Sequence, residues 1–343
     1  MFKQLEKLTK SKSQFFVFRR TILHVLFASF LCTFAMANPF LIDFPEKEEL
    51  TNEDYLEIQE KLHKLPLEPL VQEYYEQSSQ ELVSYNWFRS RICMSNRLML
   101  IDPEKGLYPK TELVKINQGG ERCFVVFATY NRIYPQMIAM QIEQLKAVGF
   151  NGYYLYFLGA LPNPTGKEIK YAGIPYGFKI FAMMEAQKKG FNSVIWLDSA
   201  LCPLNDPAPL FEELENTGAV FSLHPVESNL LLPVARNSIY QLTGVDLHKV
   251  GRPHAGVFGL YMEHPLAKEF INTYYIFAEN GYPFFAVIPE EFAWAGILGQ
   301  RQFASWFVQK PVHSFITYPT KANQRQARKR GKTRGFFFYQ ESH

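Results

Sequence analysis

The stretch Val194-Ile195-Trp196-Leu197-Asp198-Ser199 decides how this chain is read. Its bulky apolar residues follow one another without alternation, which predicts a strand buried on both faces of a mostly parallel sheet. The acid that closes the run then falls at the strand's carboxyl end, where open α/β sheets place their ligands. An acid there is a candidate metal or phosphate-site ligand. Position alone equally allows a helix N-cap or loop aspartate.

Working outward, residues 178–190 predict a helix before this strand, and a proline-rich turn over 202–209 follows it. Upstream, residues 123–128 predict a strand ending in Thr129, Tyr130, Asn131 and Arg132. Residues 134–148 have helical spacing, with Met137, Met140, Ile142 and Leu145 as the expected inner face. A second strand covers 153–158, and downstream a short helix over 210–216 leads to a strand over 219–223. This β-α-β-α-β succession predicts a doubly wound sheet with right-handed crossovers. No G-x-G-x-x-G follows the first strand, which argues against a dinucleotide oxidoreductase. The last third holds a strand-like run with two glycines (255–262), an amphipathic helix (264–280) and a helix over 289–300 that opens with Glu290 and Glu291.

The N-terminus carries Lys3, Lys7, Lys10, Lys12, Arg19 and Arg20 against Glu6, then an apolar run over 21–37 closing on Ala35-Met36-Ala37. A basic region, an apolar region and a small-x-small site make a secretory signal. An uncleaved signal anchor is the rival, since the run is near the short limit for a bilayer span. Either form puts the chain after Asn38 across the membrane, as an exported or single-pass type II protein. Residues 38–120 read as polar and helix-leaning, a stem or an accessory helical layer, with Thr51-Asn52-Glu53-Asp54 as a helix start. Residues 121–320 then form the main domain and 321–343 a basic tail, whose charge run reads as a solvated end.

Composition excludes little. The chain has 343 residues, is 47% hydrophobic and 16% aromatic, and carries a formal net charge of +3. That charge is too small to make nucleic acid the main partner. Cys32, Cys93, Cys123 and Cys202 have no metal-ligand spacing and imply no disulfide framework.

With these segments laid out, the chain resembles the GT-A superfamily of nucleotide-sugar glycosyltransferases over roughly residues 121–300. Three pieces carry the likeness. Thr129-Tyr130-Asn131 ends the first strand; Tyr176-Gly177-Phe178-Lys179 leads through a helix to Trp196-Leu197-Asp198-Ser199, the region of that family's D-x-D motif. Gly256-Val257-Phe258-Gly259 and Pro289-Glu290-Glu291 match its acceptor half. The resemblance implies an α/β, GT-A-like doubly wound mixed sheet behind an N-terminal helical stem. It implies a hexosyltransferase-like enzyme taking a nucleotide-sugar donor, with a carbohydrate, lipid or protein acceptor. Thr129, Tyr130, Asn131, Arg132, Lys179, Asp198 and Ser199 would then hold the donor, with Mn²⁺ or Mg²⁺ on Asp198 and His313 to neutralise the diphosphate. The motif departs from the family at Ala200, where the second carboxylate is missing. Lys179 and Arg132 could replace part of the metal's charge, or the domain could bind without catalysis.

Glu290 and Glu291 carry two readings. The helix dipole favours acids in a first turn without any function, at roughly 0.3–1 kcal/mol. Alternatively one of them is the general base that deprotonates an acceptor hydroxyl. His254 reads as a ligand contact or a loop histidine. Trp294 and Trp306 read as a sugar-stacking platform or, at helical positions, as core. The rivals to a transferase are a binding module on the same fold and an exported α/β hydrolase. The latter has no G-x-S-x-G elbow or H-E-x-x-H site to support it.

Overall fold

Thr51 opens the first helix as its sequence predicts. Its hydroxyl accepts from the Asp54 N–H, and the Asp54 carboxylate accepts the Thr51 N–H at 2.6 Å, a reciprocal capping box. In the computed structural model, residues 37–131, 133–225, 227–307, 316–317 and 338–340 are described. The chain divides into Met1–Asn38 and Pro39–His343. The expected signal or anchor segment, Arg132, His313 and the basic run over 321–334 lie outside the described residues. No helix among the described residues is long and apolar enough to cross a membrane.

Helices α1 (Asn52–His63), α2 (Leu67–Glu76) and α3 (Tyr85–Ile92) come first. Then follow β1 (Lys110–Ile116), β2 (Arg122–Ala128), α4 (Tyr134–Ala147), β3 (Gly152–Leu158), α5 (Phe178–Lys188), β4 (Ser193–Leu197) and β5 (Leu201–Pro203). The chain continues through α6 (Ala208–Thr217), β6 (Ala219–His224), α7 (Pro233–Thr243), β7 (Arg252–Tyr261), α8 (Pro265–Asn280) and α9 (Pro289–Leu298), to the short β8 (Ile316–Thr317) and β9 (Phe338–Gln340). Six strands make one mixed sheet in the order β1-β3-β2-β4-β7-β6. β3, β2 and β4 run parallel, while β1 pairs antiparallel to β3, and β7 antiparallel to both β4 and β6. The protein is therefore a mixed α/β fold whose parallel centre is flanked by antiparallel edges.

The central strands bury both faces, and their period of two sorts them into two clusters. Cys123, Val125 and Phe127 of β2 join Val194 and Trp196 of β4 on one side; Phe124, Val126, Ile195 and Leu197 line the other. The first side is covered by α5, α7, α8 and α9, through residues such as Ile180, Ile239, Phe270 and Phe292. The second is covered by α4 and α6, through Ile138, Leu145, Phe211 and Leu214. Continuing the alternation past Trp196 puts Asp198 on the first side, toward α5 and α9.

Residues 38–120 pack into the main core, where Phe40, Ile58, Leu62, Val71 and Phe88 share one cluster with Trp196. They also supply β1, which the sequence conceals because its outer face is solvated and polar. On α4 the buried stripe is Met137, Ile138, Gln141 and Leu145, and Met140 turns outward, since the stripe centres on 138, 141 and 145. Part of the proline-rich turn is strand β5, which pairs with β9 in the basic tail. Gly259 is a point of close approach: a Cβ there would meet Val220 Cγ1 at 2.5 Å. Cys93, Cys123 and Cys202 are buried and are not bonded to one another.

Candidate functional site

Lys179 sits in the first turn of α5, one residue past Phe178, and its side chain is only 2% exposed. A buried ammonium is costly unless it is paired, and this one is paired twice. Its Nζ donates to Asp198 Oδ1 at 2.9 Å and to Ala255 O at 3.0 Å, and lies 2.9 Å from Glu290 Oε1. The rings of Tyr176 and Trp196 lie 5.2 and 5.3 Å from the ammonium, close enough for cation–π attraction. Burial pulls the lysine's pKa down, but the two carboxylates outweigh it and hold it above the ordinary lysine value. An ammonium has three donors, and here all three are spent. In this arrangement Lys179 orients two acids and has no N–H left for a phosphate.

The two acids are not equivalent. Asp198 Oδ1 takes a second hydrogen bond from Trp196 Nε1 at 2.7 Å, yet the side chain remains 39% exposed. Among the described residues nothing donates to its other oxygen. Glu290 is buried, and its Oε2 accepts no hydrogen bond. Two carboxylates against one ammonium leave one uncompensated negative charge at the carboxyl end of β4. Gln141 fixes the backbone there. Its buried amide donates to Asp198 O at 2.8 Å and to Leu201 O at 2.6 Å, and accepts from the Tyr154 hydroxyl.

Glu291 has a different fate. One oxygen accepts from Arg252 Nη1 and the other from the Ala255 N–H at 2.9 Å, so it fastens the start of α9 to β7. The turn after β2 is likewise occupied. The Asn131 side chain accepts from the Met99 N–H at 2.9 Å and donates to Arg97 O at 3.1 Å, while the Tyr130 N–H bonds Met99 O. Tyr130 Oη donates to Tyr108 O, and Thr129 and Ser199 are buried. These contacts fix the turn after β2 against the 97–99 segment. His254 accepts from the Gly256 N–H and stacks on His224 at 4.9 Å. Trp294 and Trp306 are core residues, Trp294 packing on Phe258 at 4.5 Å, so neither forms a sugar platform.

Sequence reasoning passed over two residues here. Tyr176 holds a left-handed backbone (φ +59°), rare for a residue with a Cβ and worth notice beside a functional site. Arg91, on α3, donates from Nη1 to the Tyr176 hydroxyl at 2.8 Å. Nothing in the local sequence of α3 signals that contact.

The expected Mn²⁺ or Mg²⁺ can be tested against the donor set. Divalent cations take several oxygen ligands, including carboxylates with charge to give. The described residues offer one open oxygen on Asp198 and the buried Oε2 of Glu290, each on a carboxylate whose other oxygen is 2.9 Å from an ammonium, and Ala200 adds none. No group of three metal-ligating side chains occurs among the described residues. This set does not fit a divalent ion.

No protein-family model matches the chain, and no curated protein does. Among solved structures it is similar to mouse xyloside xylosyltransferase 1 in its apo form. That likeness has 13% sequence identity and a TM-score of 0.40, over 65% of this chain and 98% of the other. At that level it carries no argument about activity.

Proposed function

We propose that this chain transfers a sugar from a nucleotide-sugar donor to an acceptor hydroxyl. The observation that carries the reading is the pairing of Asp198 and Glu290 across one buried ammonium, at the carboxyl end of a central parallel strand. That edge is where open α/β sheets bind ligands, and incompletely partnered acids there mark a candidate site. In this reading the donor lies in the crevice beyond β2 and β4, with the 129–131 turn as its wall. The open oxygen of Asp198 accepts a hydrogen bond from the donor sugar. Glu290 Oε2 takes the proton of the acceptor hydroxyl. The acceptor oxygen bonds the anomeric carbon, and the bond to the diphosphate breaks with its electron pair on the diphosphate. Lys179 is a positioning residue that holds the two acids in register.

A second reading, a module that binds the donor without turnover, is favoured by one observation: Glu290 is only 4% exposed, so an acceptor must open a path to it. One experiment separates them. Donor binding by thermal shift and donor consumption are measured for the wild type, Asp198→Asn and Glu290→Gln. We expect Asp198→Asn to weaken binding about tenfold, the loss of one charge-assisted hydrogen bond. Glu290→Gln should keep binding and lower turnover about 10²- to 10⁴-fold, as for loss of a general base. Binding untouched by Asp198→Asn would sink the assignment; binding with no turnover in the wild type would select the module.

A further inference from the structure

The transferase reading needs positive charge for a departing diphosphate, and the residue expected to supply it cannot. All three Lys179 donors are committed to Asp198, Glu290 and Ala255, and the described acids do not suit a divalent ion. Among the described residues of the same neighbourhood, Arg91 is a cation with donors to spare. Arg91 is exposed on α3, and among the described residues its guanidinium makes one side-chain hydrogen bond, to the Tyr176 hydroxyl at 2.8 Å, and no salt bridge. A guanidinium has five N–H donors in a planar fork, so most of this one is unspent.

Its position is built rather than incidental. Tyr176 adopts a left-handed backbone that side chains rarely take, and in doing so sets its ring 5.2 Å from the Lys179 ammonium and its hydroxyl against Arg91. Arg91, Tyr176 and Lys179 therefore run in sequence from the solvent down to the paired acids. The neighbouring Arg89 on the same helix is spent on Glu68, at 2.5 Å. The charge of Tyr176, and farther off those of Glu290 and Tyr134, hold Arg91 further above its ordinary pKa, which puts it within electrostatic reach of the acid cluster and of the start of α4.

We infer that Arg91, presented by the N-terminal helical layer and held by Tyr176, binds the diphosphate of the nucleotide donor. The inference rests on the transferase reading for the identity of the ligand, while the anion site itself rests on Arg91 and Tyr176. Guanidinium forks match phosphate oxygens two at a time, and such charge-assisted bonds are the strong ones. The N-terminal layer then completes the donor site as well as covering the sheet.

The test is a calorimetric titration of the full chain, with divalent ions chelated, using uridine, guanosine and adenosine diphosphates, the matching monophosphates and inorganic pyrophosphate. Arg91→Ala should weaken diphosphate and pyrophosphate binding about 10- to 100-fold, the range for a lost charge-assisted hydrogen bond, and monophosphate binding less. Arg91→Lys keeps the charge without the fork and should fall between. Tyr176→Phe, which frees the guanidinium, should show a smaller loss, and Arg89→Ala none. Arg91 is exposed, so unchanged melting temperatures in its variants are expected alongside. Diphosphate binding within about twofold of wild type in Arg91→Ala overturns the inference. Pyrophosphate binding that depends on Arg91 without any nucleotide binding keeps the anion site and sinks the transferase reading. Absence of both kinds of binding in the wild type overturns the inference as well.

Discussion

Glu290 and Glu291 stand side by side in the first turn of α9, and both are buried. Glu291 meets a guanidinium and a backbone N–H, one for each oxygen. Glu290 meets a shared ammonium with one oxygen and nothing with the other. The two acids separate a buried carboxylate that fastens the fold from one that points to chemistry. A fully partnered carboxylate is a fastener, whose desolvation is offset by its own contacts. A half-partnered one keeps an acceptor for something the fold does not provide.

The largest effect should come from breaking the fastener. Arg252→Met leaves Glu291 buried with only the Ala255 N–H, and removing one partner of a buried pair costs about 3–5 kcal/mol. Urea unfolding should read that loss. Glu290→Gln should cost far less, on the order of 1 kcal/mol, because the amide oxygen still accepts from Lys179. If the two losses come out equal or reversed, the distinction between the two acids collapses.

Lys179→Met strands Asp198 and Glu290 without their common cation, and should cost about 3 kcal/mol at neutral pH, less than a fully closed pair because Asp198 can reach water. The folded pKa of Lys179 is raised, so the stability it contributes is complete below its unfolded value, about 10.4, and is lost as pH rises through the higher folded value. Buried tyrosines such as Tyr55 and Tyr274 are also raised and weaken the fold in the same direction. The lysine is therefore read from the difference between wild type and Lys179→Met. That difference should be constant from pH 7 to about 10 and shrink above it. A gap that narrows already near neutrality would mean the ammonium is not held as described.

Much of this was legible in the sequence for a physical reason. The 194–197 strand is buried on both faces, so its pattern could not be mistaken for a half-exposed element, and Asp198 stood out as its terminal acid. Glu290 was legible as an acid opening a late helix. What stayed hidden depends on contacts distant along the chain. β1 looks polar because one face is solvated, although its register against β3 is continuous. Arg91 and Tyr176 are 85 positions apart, and nothing local announces their contact. The commitment of all three Lys179 donors is likewise a matter of geometry: a lysine after Tyr176-Gly177-Phe178 reads as a phosphate ligand until its neighbours are known.

The smallest expected effect concerns Ala200, where the resemblance would put a second carboxylate. The acid cluster already carries one negative charge more than its ammonium cancels. Ala200→Asp adds another on the partly open side, two residues past Asp198. With no divalent ion present, that charge should repel a diphosphate by about 1 kcal/mol, the value for unit charges roughly 4 Å apart in water, and weaken binding about fivefold. Salt should shrink the effect, since an exposed charge is screened within roughly 8–10 Å. The variant also tests the cation argument from the opposite side. If Mn²⁺ restores diphosphate binding in Ala200→Asp above the wild-type level, the added acid has completed a metal site, and Lys179 tolerates an ion beside it. If Mn²⁺ leaves both proteins unchanged, the ammonium excludes the metal, as the proposal that Arg91 meets the phosphates requires.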